Sequence, residues 1–155
     1  MKLLSPLEII KVDDGSLAIG WVGDRVFYAK TVGGFSVELC LAHSVRLDRA
    51  VRQQGVLAHF LDASLMTHYD LLARSALVRG LLGHRNDFTP LVILAWAGGV
   101  TSATAAFAAA IGDAATIVTD PVDFDQRLRQ RAPLAQLCLD PKTWVSAPAL
   151  KPNVP

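Results

Sequence analysis

Five polar residues within one short stretch, Asp62, Ser64, Thr67, His68 and Asp70, are the densest concentration of reactive side chains in the chain. They include a hydroxyl that could act as nucleophile (Ser64), a base (His68) and carboxylates (Asp62, Asp70), the residue types of a hydrolytic triad. No Gly-x-Ser-x-Gly turn surrounds Ser64, so nothing would hold its hydroxyl on a strained elbow beside an oxyanion hole. Short polar side chains also close turns and cap helices, because they reach backbone N–H groups two or three positions on. Thr67 followed by Asp70 resembles a capping box that would start a helix near His68. The cluster therefore reads either as a ligand- or partner-contacting strand-to-helix loop or as turn and cap chemistry, and no catalytic residue is expected.

A second stretch, Trp96-Ala97-Gly98-Gly99-Val100-Thr101-Ser102, places small residues ahead of a predicted helix. Backbone N–H groups at Gly98, Gly99 and Thr101 could meet an anion there. The P-loop lysine and the third glycine of a dinucleotide fingerprint are both missing, so a capped strand-to-helix turn is the plainer reading. The histidines, His43, His59, His68 and His84, have no second His or Cys at ligand spacing on the same element, so neither metal nor cofactor is expected. His59 alternates inside a strand and reads as a hydrogen-bonded sheet histidine.

The elements that must position these residues follow from periodicity. Residues 7–12, 16–21 and 25–31 are short β-rich runs joined by Asp-Asp-Gly and Gly-Asp turns, the pattern of an antiparallel meander. After Gly33-Gly34 the apolar period changes: Val37, Cys40, Leu41, Leu47 and Val51 recur at three- and four-residue spacing, which predicts a helix over 36–54 stopped by Gly55. Strands over 56–61, 91–96 and 114–119 then alternate with helices over 69–83, 101–111 and 121–131, the last opened by Asp120-Pro121. Strands separated by helices pair in parallel with right-handed crossovers. The expected fold is an α/β domain over residues 1–133, with a mostly parallel mixed sheet, an antiparallel N-terminal meander and helices packed on it. An extended proline-rich tail over 134–155 follows.

Composition narrows the classes. The chain has 155 residues, 52% of them apolar and 19% charged, with a net charge of +1. That is enough for a hydrophobic core and offers no basic excess for nucleic acid. Arg127, Arg129 and Arg131 sit near the end of the last helix and suit its negative pole. Cys40 and Cys138 fit no disulfide or CxxC spacing, as in a cytoplasmic protein. The opening run to Pro6 is too short for a signal peptide. Residues 88–112 carry no charge, but Pro90, Gly98 and Gly99 divide them into a strand-like and an alanine-rich half, so no membrane span is expected.

On this frame Asp62-Ala63-Ser64, with Asp70 opening a helix, resembles the signature of STAS domains, the anti-sigma-factor antagonist-like modules. Their pattern is Asp-Leu-Ser, a short loop, then Asp-Ser-Ser-Gly at a helix start. The order of elements over residues 7–131 is similar as well, and the wider group is related in architecture to the CRAL-TRIO lipid-binding domain. The resemblance implies a non-enzymatic regulatory module that binds a protein partner. A carrier of lipid or a small apolar ligand is the alternative. The chain departs from the pattern at the phosphoacceptor, where Leu71 and Leu72 follow Asp70 and offer no hydroxyl. The alanine-rich helix 101–111 is apolar on all sides, which suggests a homodimer contact through Ala106, Phe107, Ala109 and Ile111.

Overall fold

The computed structural model describes residues 7–95 and 102–133. Gly98, Gly99, Thr101 and the tail 134–155 lie outside the described residues. The chain opens with three strands, β1 (Glu8–Val12), β2 (Gly15–Gly23) and β3 (Val26–Phe35), followed by helix α1 (Val37–Gln54). Then β4 (Leu57–Tyr69), α2 (Leu71–Gly83), β5 (Phe88–Leu94), α3 (Ser102–Ile111), β6 (Thr116–Val118) and α4 (Pro121–Arg131) alternate. All six strands form one sheet in the order β1-β2-β3-β4-β5-β6. The pairings β1–β2 and β2–β3 are antiparallel. The pairings β3–β4, β4–β5 and β5–β6 are parallel, so the expected mixed α/β sheet is present.

Side-chain alternation divides the core into two layers. On one face Phe27, Ala29, Leu61 and Ile93 pack under Leu39 and Leu47 of α1, Leu77 and Leu81 of α2, and Ile111 of α3. On the other, Tyr28, Phe60, Val92 and Leu94 pack under Phe124 and Leu128 of α4. Helix α1 starts where the Ser36 hydroxyl accepts the Leu39 N–H at 3.3 Å and stops at Gly55, whose φ of +73° suits glycine. Arg46 of α1 grips Glu8 of β1 through two guanidinium N–H groups at 2.7 and 2.5 Å. The inward-facing Cys40 is a buried free thiol, and burial pushes its pKa up. Among the described residues no helix is long and apolar enough to cross a membrane.

Several boundaries differ from the sequence expectation: β3 runs through Gly33 and Gly34 to Phe35, and β6 is only Thr116–Val118. Strand β4 does not end at Asp62 but runs on to Tyr69 beside β3, so Thr67 and His68 lie in a strand. Thr67 consequently caps nothing; Asp70 itself is the N-cap of α2, its carboxylate accepting the Leu72 N–H at 2.9 Å. Strand β5 begins at Phe88 and includes Pro90. Proline removes a ladder donor, and here it sits at a register shift against β4 and outside the β6 pairing, which begins at Val92.

Candidate functional site

The five clustered residues separate into three local structures. Asp62 borders, and Ser64 lies within, the irregularity in the β3–β4 ladder between the pairs Lys30–Asp62 and Val32–Leu65. A bulge leaves backbone groups without a ladder partner. Asp62 supplies one: its Oδ1 accepts the Ser64 N–H at 2.9 Å and the Ser64 hydroxyl at 2.6 Å. The other carboxylate oxygen meets Lys30 Nζ at 3.5 Å and accepts the Tyr28 hydroxyl at 3.4 Å. Lys30 and Asp62 retain only 11% and 9% of their side-chain exposure. Burial, reinforced by the Asp62 charge, pushes the Tyr28 phenol well above its usual range. The Asp-x-Ser spacing thus stabilises a bulge and closes a buried ion pair.

Thr67 and His68 lie further along β4, exposed, against the β1–β2 turn. His68 Nε2 bonds the Asp14 carboxylate at 2.7 Å while its Nδ1 meets the Thr67 hydroxyl at 2.9 Å. Gly34 permits this approach, since a Cβ there would stand 2.5 Å from Asp14 Oδ2 and 2.6 Å from His68 Nε2. Ser64, His68 and Asp70 are each engaged elsewhere and form no triad. Among the described residues no group of His, Cys, Asp or Glu is arranged to hold a metal ion.

Periodicity gave no sign of a cavity on the α1–α2–α3 face, at the carboxyl ends of β3, β4 and β5. Ligands in open α/β sheets collect at this end of the strands. Thr31, Phe35, Leu61, Met66, Leu77, Ile93, Ala95 and Phe107 are among its lining residues. Its free space is about 50 Å3, and counted out to the solvent at its mouth about 560 Å3. Tyr69 and Arg74 also line it, the guanidinium carbon 5.8 Å from the centre of the tyrosine ring. The surface that these residues expose to the cavity is apolar. Thr31 is 2% exposed, and its hydroxyl has no hydrogen-bond partner among the described residues. A buried unpaired hydroxyl costs about 1–3 kcal/mol.

Of the residues expected at a dimer contact, Ile111 is buried in the core and Phe107 is half-buried against the cavity, which leaves Ala106 and Ala109 exposed. Larger apolar side chains are exposed at the start of α2, Leu71 at 66% and Leu72 at 72%.

A further cluster escaped the sequence because its members sit on different elements. His43 of α1 and His59 of β4 are both buried, and their Nε2 atoms are 3.1 Å apart. His59 Nδ1 lies 3.1 Å from the Phe27 carbonyl. A carbonyl only accepts, so His59 donates from Nδ1, accepts at Nε2, and His43 is the donor between them. Burial holds both rings neutral, lowering His43 to about 3 and His59 to about 4. His84, which caps α2, instead binds the carboxylates of Asp48 and Asp87. Burial opposes its charge, but those two hydrogen bonds outweigh it and raise its pKa.

No protein-family model and no curated protein matches the chain. Among solved structures it is similar to an uncharacterized protein of the DUF3478 family from Shewanella loihica PV-4, described as having a SpoIIAA-like fold. The match has a TM-score of 0.58 and 18% identity, and covers 77% of this chain and 98% of that one. With the strand order and crossovers above, it places the chain in the SpoIIAA-like α/β fold, that of the STAS, anti-sigma-factor antagonist-like domains.

Proposed function

We propose that the protein is a non-enzymatic binding module that takes the apolar end of a small ligand into the cavity between α2, α3 and the ends of β3–β5. One observation carries this reading: Thr31 lines an apolar cavity, and its hydroxyl, buried just behind that surface, has no hydrogen-bond partner among the described residues. Buried polar groups are almost always paired, so an unpaired one beside a cavity suits a ligand that brings the missing partner. The ligand would be mainly apolar, with one carbonyl, carboxylate or hydroxyl set back far enough to reach Thr31. Arg74 at the mouth suits a polar or anionic outer end. The free space of about 50 Å3 fits a short alkyl or aromatic group, with the remainder of the ligand lying toward the mouth.

Thr31→Val tests the reading, because valine keeps the β-branched shape and removes only the hydroxyl. Without ligand the variant is expected to be more stable by about 1–2 kcal/mol in urea denaturation, the reverse of a usual core substitution. Loss of stability would mean that the hydroxyl is satisfied within the protein.

Protein contact remains a second reading, favoured by the exposed Leu71 and Leu72, which lie in sequence between the cavity-lining Tyr69 and Arg74. Leucines so exposed at a helix start suit a partner surface, and the self-association expected of α3 could use the same end of the sheet.

A further inference from the structure

The opposite end of the sheet holds a cleft of different chemistry. It measures about 210 Å3 and is lined by Asp24, Arg25, Val26, Val56, Leu57, Ala58, Thr89 and Arg131, where the parallel strands begin. We propose that this cleft binds a small organic oxyanion, a carboxylate or phosphate ester, between Arg25 and Arg131.

Three features carry the assignment. First, the two arginines have no ion pair among the described residues. Arg127 and Arg129 each find an acid one turn back on α4, Asp123 and Asp125, at 2.9 and 2.5 Å. The residue one turn before Arg131 is Arg127, so its own helix offers no acid. Arg131 uses one N–H on the Thr89 carbonyl at 2.8 Å, which anchors the side chain at the cleft and leaves its other donors. The Arg25 guanidinium has no hydrogen bond or ion pair among the described residues. Second, Arg25 is the only non-glycine residue with positive φ among those described, at 55°. Glycine or asparagine would sit at this turn without strain, so an arginine there asks for an explanation in function. Its carbonyl accepts the Ala58 N–H at 2.8 Å, fixing the turn to the start of β4. Third, the cleft combines charge with an apolar wall: Arg25, Arg131 and Asp24 give it a net positive charge, and Val56 is exposed on it. Guanidinium groups match carboxylate and phosphate oxygens through paired N–H donors. A cleft of this volume exceeds a lone inorganic ion and fits a molecule of metabolite size.

Calorimetric titration of the purified chain at low ionic strength tests this, with citrate and inorganic phosphate as probes. Wild-type protein should bind citrate more tightly than phosphate, and added salt should weaken both. Arg25→Gly should bind at least about tenfold more weakly while its melting temperature rises, since glycine relieves the positive φ. Arg131→Gln should lose affinity similarly with its fold unchanged by circular dichroism. No citrate binding at millimolar concentration would overturn the proposal, as would unchanged affinity in either variant. An apolar probe in the cavity at the other end of the sheet should bind all three proteins alike, which separates this inference from the reading above.

Discussion

Lowering the pH from 7 to 5 is expected to remove about 4 kcal/mol of folding stability through two residues, His43 and His59. Both are neutral in the folded protein, with pKa values lowered to about 3 and about 4 from 6.5. A group whose folded pKa is depressed contributes stability that is intact above its unfolded pKa and is lost as pH falls. At pH 5 the unfolded chain protonates each imidazole while the folded one does not, which costs about 2 kcal/mol per ring. The pair is coupled through its shared hydrogen bond, so further loss below pH 4 belongs to both rings together. His84 acts with the opposite sign. Its pKa is raised by Asp48 and Asp87, so its contribution is full below 6.5 and fades as pH rises through the folded value. Urea denaturation of His84→Gln between pH 6.5 and 5 isolates the pair, and a flat stability profile there would show that the two rings are not buried neutral. Single domains hold only about 5–15 kcal/mol in reserve, so the predicted loss is a large fraction of the total.

The second large effect is expected at Asp62. Asp62→Leu removes the carboxylate that accepts from Tyr28 and Ser64 and meets Lys30, and so takes a charged partner from an ammonium in a site with little water. Breaking a buried ion pair from one side costs about 3–5 kcal/mol, mostly through the charge left behind. Lys30→Met combined with Asp62→Leu should recover much of that loss, because two apolar side chains can replace a buried pair almost without cost. A double variant no more stable than Asp62→Leu alone would show that Asp62 acts through the bulge at Ser64 rather than through Lys30.

These residues also show where the sequence was readable. The meander, α1 and the alternation of strands with helices are short-range patterns, and each was legible from apolar period and turn residues. The extension of β4 was not. Asp62 and Ser64 look like loop residues, and only the register with β3 shows that they stabilise a bulge within a strand. The start of β5 was hidden by Pro90, tolerated because β6 pairs only from Val92 onward. The cavity is assembled from positions 31, 63, 95 and 107, which no spacing rule connects. His43 and His59 meet because α1 crosses the sheet above β4, and nothing in either local pattern announces it.

Titration of the protein with the fluorescent apolar probe N-phenyl-1-naphthylamine tests whether the cavity beside Thr31 binds an apolar group. Wild-type protein should give saturable, stoichiometric enhancement. Ala63→Phe, which places a ring on the cavity wall, should abolish it while the far-ultraviolet circular dichroism is unchanged. Equal enhancement in both proteins would place the probe elsewhere and contradict binding in the cavity, and so would no saturable binding in the wild type.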